Sequence, residues 1–373
     1  MSRQPPLSIS VAVSPTGKVT ARSWRDGTEQ SSDHRVALMG LEGRTLRVFE
    51  RWLMEHDREW DREDIRVFGQ LLHQLLFSDK VWTWIRHQID NRGDDTVRLQ
   101  LEFPTDAASS RLATLPWEFM CGPDRPGDDG QFLVLMPGVL LSRSVPPGTP
   151  YRATVDLQEV RILPVVGAHN DWLGNVDYKP VVRAIKKTAK TRPDFTVCKA
   201  AVDVSEDELA RTVAEKHPHV VHYIGHGRFN SETGKGSIAL KGAAGREEWI
   251  DEDRLAESLC TDDWAPTVVV LHACEGGAND YEYRYAGLAP VLVGQGVHCV
   301  VAMQYPVTNE TAIAFSTALY EALACHEFLD QAVQSARKVI WQDSKDARLL
   351  GVPMIYQRTA EPLLGEKSER AKR

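Results

Sequence analysis

Two short stretches of the chain each end an apolar run at a side chain that could do chemistry. Residues 267–273, TVVVLHA, lead directly into Cys274, and residues 219–225, HVVHYIG, lead directly into His226. A cysteine thiolate is a strong nucleophile, and a neighbouring imidazole lowers the pKa of the thiol or accepts its proton. The pair predicts nucleophilic catalysis by Cys274 with His226 as the base. A lone cysteine in this place is more often a small buried residue, and that interpretation stays open.

Glycines follow both of these residues. Gly227 comes directly after His226, and Gly276 and Gly277 follow two residues behind Cys274. A glycine leaves its own backbone N–H accessible, and two glycines permit the turn that would present the thiol. We expect the N–H groups of Gly227 and Cys274 to face the oxyanion of a tetrahedral intermediate.

A parallel sheet would bring the two stretches together. After residue 150, short β-branched runs alternate with helical segments, which is typical of a mostly parallel sheet with helices on both faces. Sites in such α/β sheets form at the carboxyl ends of the strands. His226 and Cys274 are 48 residues apart (274 minus 226), enough for a crossover and an excursion. The two strands should therefore be neighbours or lie one strand apart.

The chain divides near a segment rich in Pro and Gly, SVPPGTP at 144–150. Before it, LSISVAV and KVTARS flank the turn SPTG and predict a β-hairpin. Helical stripes occupy 43–77, and TVRLQLEF at 96–103 alternates like a strand. We predict an N-terminal α+β accessory region at 1–150 and a catalytic domain at 151–373.

Several ordered blocks over about residues 96–358 resemble one known family. They include TLPWEFMCGP, VVHYIGHGRFN, TVVVLHACEGG, GLAPVLVGQGVHCVVAMQYPVTNETAIAFSTALYEALA and VPMIYQR. Together they resemble the CHAT domain, a caspase-like cysteine peptidase in the clan of caspases and separase. The resemblance implies a caspase-hemoglobinase fold, with His226 as general base and Cys274 as nucleophile. It also implies that the accessory region at 1–150 is pseudo-protease-like. Relatives often carry Asn where this chain has His272, and Trp where it has Tyr305.

The resemblance also implies a function. The protein should be a cysteine endopeptidase that cleaves a partner protein. It should act in a prokaryotic, antiviral defence or cell-death pathway, under the control of a protein sensor or activator. A non-catalytic interaction module on the same fold is the first alternative, although such a scaffold needs neither His226 nor Cys274. A thiol redox or acyl-transfer enzyme is the second, although the chain lacks a C-x-x-C pair and a G-x-S-x-G elbow.

Three residues are candidates for substrate binding. Glu275 and Asp280 follow Cys274 closely, and an acidic wall there would favour a basic P1 side chain in the substrate. A solvated loop is the other interpretation of these carboxylates. Tyr305 is the third candidate, placed in the substrate groove by the resemblance alone.

No metal ion or cofactor is expected in the site. His219 and His222 are three residues apart on a predicted strand, so their side chains point to opposite faces and converge poorly on a metal. The six cysteines are scattered without a C-x-x-C pair, and no G-x-x-x-x-G-K-[ST] phosphate loop is present in the sequence.

Charge and hydropathy argue against two classes of partner. The formal net charge of -8 is opposite to the basic surface that nucleic acids require. No stretch approaches the roughly 18 apolar residues of a membrane span. The first residues, MSRQPPLSIS, lack the apolar core of a signal peptide. We therefore expect a cytoplasmic protein with reduced thiols and a protein as its substrate.

Overall fold

A computed structural model of the protein describes most of the chain. The described residues are 7–36, 38, 40–53, 60–93, 95–103, 110–123, 130–145, 159–168, 176–230, 235–261, 263–273, 287–305, 307–325, 328–342 and 344–358. The chain forms two compact units, Met1–Pro147 with Trp341–Met354, and Gly148–Ile340 with Ile355–Arg373. The predicted linker at 144–150 lies mostly outside the described residues.

The first unit contains a mixed sheet. Its strands are β1 (Leu7–Val13), β2 (Lys18–Ser23), β3 (Glu29–Arg35), β4 (Val97–Glu102), β5 (Cys121–Gly122), β6 (Gln131–Phe132) and β7 (Val139–Ser144). The order in the sheet is β7-β4-β1-β2-β3, and β5 pairs separately with β6. Strand β1 is antiparallel to β2 and parallel to β4. The predicted hairpin is therefore confirmed, but its first strand lies inside a larger sheet.

Helices of this unit follow the apolar stripes of the sequence. They are α1 (Gly40–Leu53), α2 (Arg62–Leu76), α3 (Asp79–Asp90) and α4 (Ser110–Thr114), with short 3-10 turns at Trp117–Phe119, Leu133–Leu135 and Ala347–Leu350. Asp61 and Ser78 cap α2 and α3 by accepting backbone N–H bonds. Ile65, Phe68 and Leu72 of α2 are fully buried, as the helical periodicity predicts.

A buried ion pair joins the first 3-10 turn of this unit to its last strand. Arg143 on β7 donates from Nε to Oε1 of Glu118 over 3.0 Å and from Nη2 to the other carboxylate oxygen. Their side chains are 0% and 1% exposed. Arg143 also donates to the carbonyl of Ala113. Both charges are thus removed from water and compensated by each other.

The second unit is built around a parallel sheet. Its strands are β8 (Val160–Val166), β9 (Phe195–Val197), β10 (Ala201–Val202), β11 (Val220–Gly225), β12 (Gly227–Asn230), β13 (Lys235–Lys241), β14 (Glu247–Asp251), β15 (Val268–Ala273) and β16 (Cys299–Met303), and β17 (Pro353–Gln357) crosses the division between the units. Strands β8, β11, β15 and β16 pair in this order, all in parallel, and β9 and β10 pair in parallel with β8. An antiparallel sheet of order β12-β13-β14 lies between β11 and β15 in the sequence.

Helices alternate with these strands along the chain. They are α5 (Lys179–Lys190), α6 (Glu206–Lys216), α7 (Glu252–Leu259), α8 (Leu288–Gly294), α9 (Asn309–Ala324) and α10 (Leu329–Gln342). Helix α5 packs on α9, whereas α6 and α8 both pack on α7. Parallel pairing requires such crossovers. The prediction of a mostly parallel α/β sheet with helices, preceded by an α+β region, is confirmed.

Candidate active site

The register of two neighbouring strands positions the candidate site. Strand β11 pairs directly and in parallel with β15, from Val220 opposite Val268 to Gly225 opposite Ala273. The predicted adjacency of the two strands is therefore confirmed. His226 is the residue after Gly225, and Cys274 is the residue after Ala273.

Several candidate residues lie outside the part of the chain that the structure describes. They are Cys274, Glu275 and Asp280, and their roles stay predictions. Tyr305 follows β16 at its carboxyl end and is 3% exposed. Its role in a substrate groove also stays a prediction.

His226 lies between the last residue of β11 and the first residue of β12. It is 1% exposed, so its position is set by the surrounding protein. Its backbone carbonyl accepts two hydrogen bonds, one from the N–H of Ala239 over 3.0 Å and one from the hydroxyl of Tyr223 over 2.9 Å. The backbone at the candidate base is therefore fixed from both β11 and β13.

Gly227 begins the edge strand of the small antiparallel sheet. It lies opposite Ile238 on β13, next to the pair formed by His226 and Ala239. In an antiparallel ladder, residues alternate between those whose backbone groups face the partner strand and those whose groups face away. Because the Ala239 N–H bonds to the His226 carbonyl, the N–H of Gly227 is directed away from β13. An outward N–H here suits a donor to an oxyanion.

The sequence analysis missed the contribution of Tyr223. Its hydroxyl is 2.9 Å from the carbonyl oxygen of His226 and 3.0 Å from that of Ala239. A Cβ placed on Gly225 would lie 2.5 Å from this hydroxyl, and one placed on Gly167 would lie 2.3 Å from it. Two glycines therefore make the space in which the phenol lies. The available signal was a glycine two residues after a tyrosine, on the same face of a strand.

Two histidines form a buried polar cluster on the opposite face of the same strands. The ring of His222 stacks on that of His272, with centroids 5.7 Å apart, and its Nδ1 is 3.0 Å from the hydroxyl of Tyr320 on α9. Both histidines are 0% exposed. The interpretation of His222 as a packed histidine is thus confirmed.

Burial keeps this cluster uncharged. It lowers the pKa of His272 to about 4. Burial and, to a smaller extent, the neighbouring His272 hold the pKa of His222 well below its ordinary value. Burial likewise raises the pKa of the Tyr320 hydroxyl. These groups are poor candidates for proton transfer at neutral pH, because each keeps its neutral form there.

The cluster predicts that stability falls on acidification. The unfolded chain binds a proton at His272 near pH 6.5, whereas the folded chain does so only near pH 4. The contribution of neutral His272 to the free energy of unfolding is therefore fully present above pH 6.5 and is lost as the pH drops toward 4. From pH 7 to pH 5, His272 alone should reduce the free energy of unfolding by about 2 kcal/mol. Urea unfolding at the two pH values measures this.

His272→Asn provides the control for the acid effect, because an amide does not titrate in this range. The variant should lose about 2 kcal/mol less than the wild type between pH 7 and pH 5. The comparison removes the contribution of other histidines, such as His73, whose pKa burial also lowers to about 4. Equal losses in both proteins would show that His272 does not titrate on unfolding.

Two further histidines of this region, His217 and His219, both lie against the ring of Trp264, with ring centroids 5.0 and 5.4 Å from it. Nδ1 of His219 accepts the backbone N–H of Arg161 over 2.9 Å, which fixes its ring at the amino end of β11. Among the described residues there is no group of three or more His, Cys, Asp or Glu side chains that could hold a metal ion. The described helices also include none with the length and apolarity needed to cross a membrane.

Comparisons with known proteins give one family. Residues 66–368 match the CHAT domain. No curated protein sequence matches the chain.

Three solved structures illustrate what the chain is similar to. The first is the Arg specific cysteine proteinase gingipain R, at 10% identity, covering 80% of this chain and 70% of that chain with a TM-score of 0.47. The Saccharomyces cerevisiae separase-securin complex matches at 12% identity over 94% of this chain and 30% of that chain, with a TM-score of 0.47. The Drosophila initiator caspase Dronc matches at 11% identity over 58% of this chain and 85% of that chain, with a TM-score of 0.36.

Proposed function

We propose, given that the chain belongs to the CHAT domain family, that it is a cysteine endopeptidase in which Cys274 is the nucleophile and His226 the base. The observation that carries the proposal is the pairing of Gly225 with Ala273. Neighbouring strands lie about 4.8 Å apart. The residues that directly precede His226 and Cys274, Gly225 and Ala273, therefore end adjacent strands at the same edge of the sheet.

The proposed chemistry uses groups from both strand ends. The thiol of Cys274 gives its proton to His226, and Sγ forms a bond to the scissile carbonyl carbon. The π electrons move to the oxygen, which the N–H groups of Gly227 and Cys274 stabilise. His226 then protonates the leaving nitrogen as the C–N bond breaks. A water molecule, deprotonated by His226, attacks the resulting thioester and releases the thiol.

The substrate in this proposal is a partner protein. Glu275 and Asp280 give the segment after the nucleophile a negative charge, which favours a basic P1 residue. Control by a protein sensor or activator, and a place in prokaryotic defence, follow from the family resemblance. The cytoplasm is the compartment proposed for it, because the catalytic thiol has to stay reduced.

Mass-spectrometric mapping of cleavage sites in a peptide library tests the proposal. The wild-type chain should produce new termini that share a P1 residue, and Cys274→Ala should produce none. Iodoacetamide provides a second readout, because an activated thiol is alkylated selectively at Cys274. A chain that cleaves nothing and whose Cys274 reacts no faster than exposed Cys325 would support the non-catalytic alternative.

A further inference from the structure

We propose that Tyr223 is a positioning residue for the oxyanion site, acting through the peptide group between His226 and Gly227. The inference rests on the proposed function. It assigns a role in the reaction to a residue within β11 that would act through a backbone carbonyl rather than on the reacting atoms. Its hydroxyl lies within hydrogen-bonding distance of two backbone carbonyls, those of His226 and Ala239.

The peptide geometry connects the hydroxyl to the oxyanion donor. The described part of the chain contains no cis peptide bond. In a planar trans peptide, the carbonyl of one residue and the N–H of the next point in opposite directions. A bond that fixes the carbonyl of His226 therefore fixes the direction of the Gly227 N–H. Tyr223 and the N–H of Ala239 hold that carbonyl together, over 2.9 and 3.0 Å.

The surroundings of Tyr223 are built to receive a phenol. The side chain is 2% exposed, so its hydroxyl is removed from competing water. A Cβ on either Gly167 or Gly225 would collide with the phenol, so the two glycines provide the space that it fills. The carbonyl of Ala239 also accepts the N–H of Ala168 over 3.0 Å, which anchors the second acceptor of the hydroxyl. The phenol is thus held at the point where β11, β12 and β13 meet.

The size of the effect follows from what remains when the hydroxyl is removed. Deleting an oxyanion donor typically lowers the rate by about 10²–10³-fold. Tyr223→Phe keeps the donor and also keeps the Ala239 bond to the same carbonyl. It loosens the donor rather than removing it. We expect a loss of about tenfold in kcat/KM, mainly in kcat, because the oxyanion forms only as the reaction proceeds.

Two probes of Cys274 separate positioning from general damage. A peptide aldehyde with the residues preceding the cleaved bond of the library substrate adds to Sγ, and its carbonyl π electrons move to the oxygen, which takes up a proton. Iodoacetamide reacts by displacement, in which Sγ bonds to the methylene carbon and iodide leaves, so no oxyanion forms. Tyr223→Phe should weaken aldehyde inhibition about tenfold, in proportion to its loss of kcat/KM. It should leave the alkylation rate within about twofold of wild type, because the dyad is intact.

Tyr320→Phe is the matched control. It also deletes a buried tyrosine hydroxyl that bonds a residue of β11, but its partner is the His222 ring on the other face. Tyr320→Phe should lower the melting temperature about as much as Tyr223→Phe does, but it should leave inhibition by the aldehyde unchanged. The proposal is overturned if the Tyr223→Phe variant cleaves its substrate and is inhibited by the aldehyde as the wild type is. It is also overturned if the alkylation rate of the variant falls by the same factor as its affinity for the aldehyde. A wild-type chain without cleavage or selective alkylation would instead refute the proposed function, and this inference with it.

Discussion

Replacing Cys274 with Ala should reduce cleavage of the target protein to the uncatalysed background, with a melting temperature close to that of the wild type. The substitution removes only a sulfur atom, yet without it no thioester can form. Replacing His226 with Ala should lower the rate by about 10²–10⁴-fold, the usual contribution of a general base. The thiol then lacks a base, and an ordinary cysteine thiol, with a pKa near 8.5, is mostly protonated at neutral pH.

The double variant distinguishes a dyad from two separate contributions. When two residues act as a unit, replacing either one already removes the effect of both. The double variant should therefore be no slower than Cys274→Ala alone. Cys325→Ala is the control, because Cys325 is a free, exposed cysteine far along the chain from both strand ends. It should cleave at the wild-type rate. A folded Cys274→Ala protein that still cuts its target would place the nucleophile elsewhere, and an unfolded one would favour a packing role for the thiol.

Replacing Arg143 with Met should destabilise the chain by about 3–5 kcal/mol, because the carboxylate of Glu118 would remain buried without its partner. The two side chains are almost fully enclosed. Urea unfolding of the full chain, followed by tryptophan fluorescence, measures the change, and Trp117 next to Glu118 is itself fully buried.

A second substitution tests whether the cost comes from the stranded charge. Arg143→Met combined with Glu118→Leu replaces the whole pair by apolar side chains, which in buried pairs is often neutral or stabilising. The double variant should therefore recover most of the stability lost in the single one. The hydrogen bond from Arg143 to the Ala113 carbonyl is lost in both, so it cancels from the comparison. A double variant as unstable as the single one would mean that packing, not charge, dominates at this position.

The sequence was most informative where local pattern decides structure. The β-branched runs before His226 and Cys274 predicted β11 and β15. Strand β11 ends at Gly225, directly before His226, and β15 continues to Ala273, the last described residue before Cys274. That both strands belong to one parallel sheet followed from the alternation with helices. Their register, Gly225 opposite Ala273, did not, because a strand's own pattern does not state which residue of another strand it faces.

Other features depended on contacts between distant segments and could not be predicted. The N-terminal strand β1 was predicted as half of a hairpin, and its second neighbour, β4, is about 90 residues away in sequence. The segment Trp341–Met354 belongs to the first unit, although the predicted boundary at 150 and 151 assigned it to the second domain. The hydroxyl of Tyr223 is a third case, since only the fold brings Ala239 and Gly167 to it.

The position of β12–β14 between β11 and β15 in the sequence has a consequence for how the chain is synthesised and folded. On the ribosome, His226 is synthesised well before Cys274, with the small antiparallel sheet and α7 in between. Parallel neighbours cannot pair until the intervening crossover is complete. In the proposed mechanism the thiol of Cys274 lacks its base until then, and an unassisted cysteine thiol is mostly protonated at neutral pH. On the proposed function, a growing chain therefore lacks the dyad, and the ability to cleave a protein arises only after β15 pairs with β11.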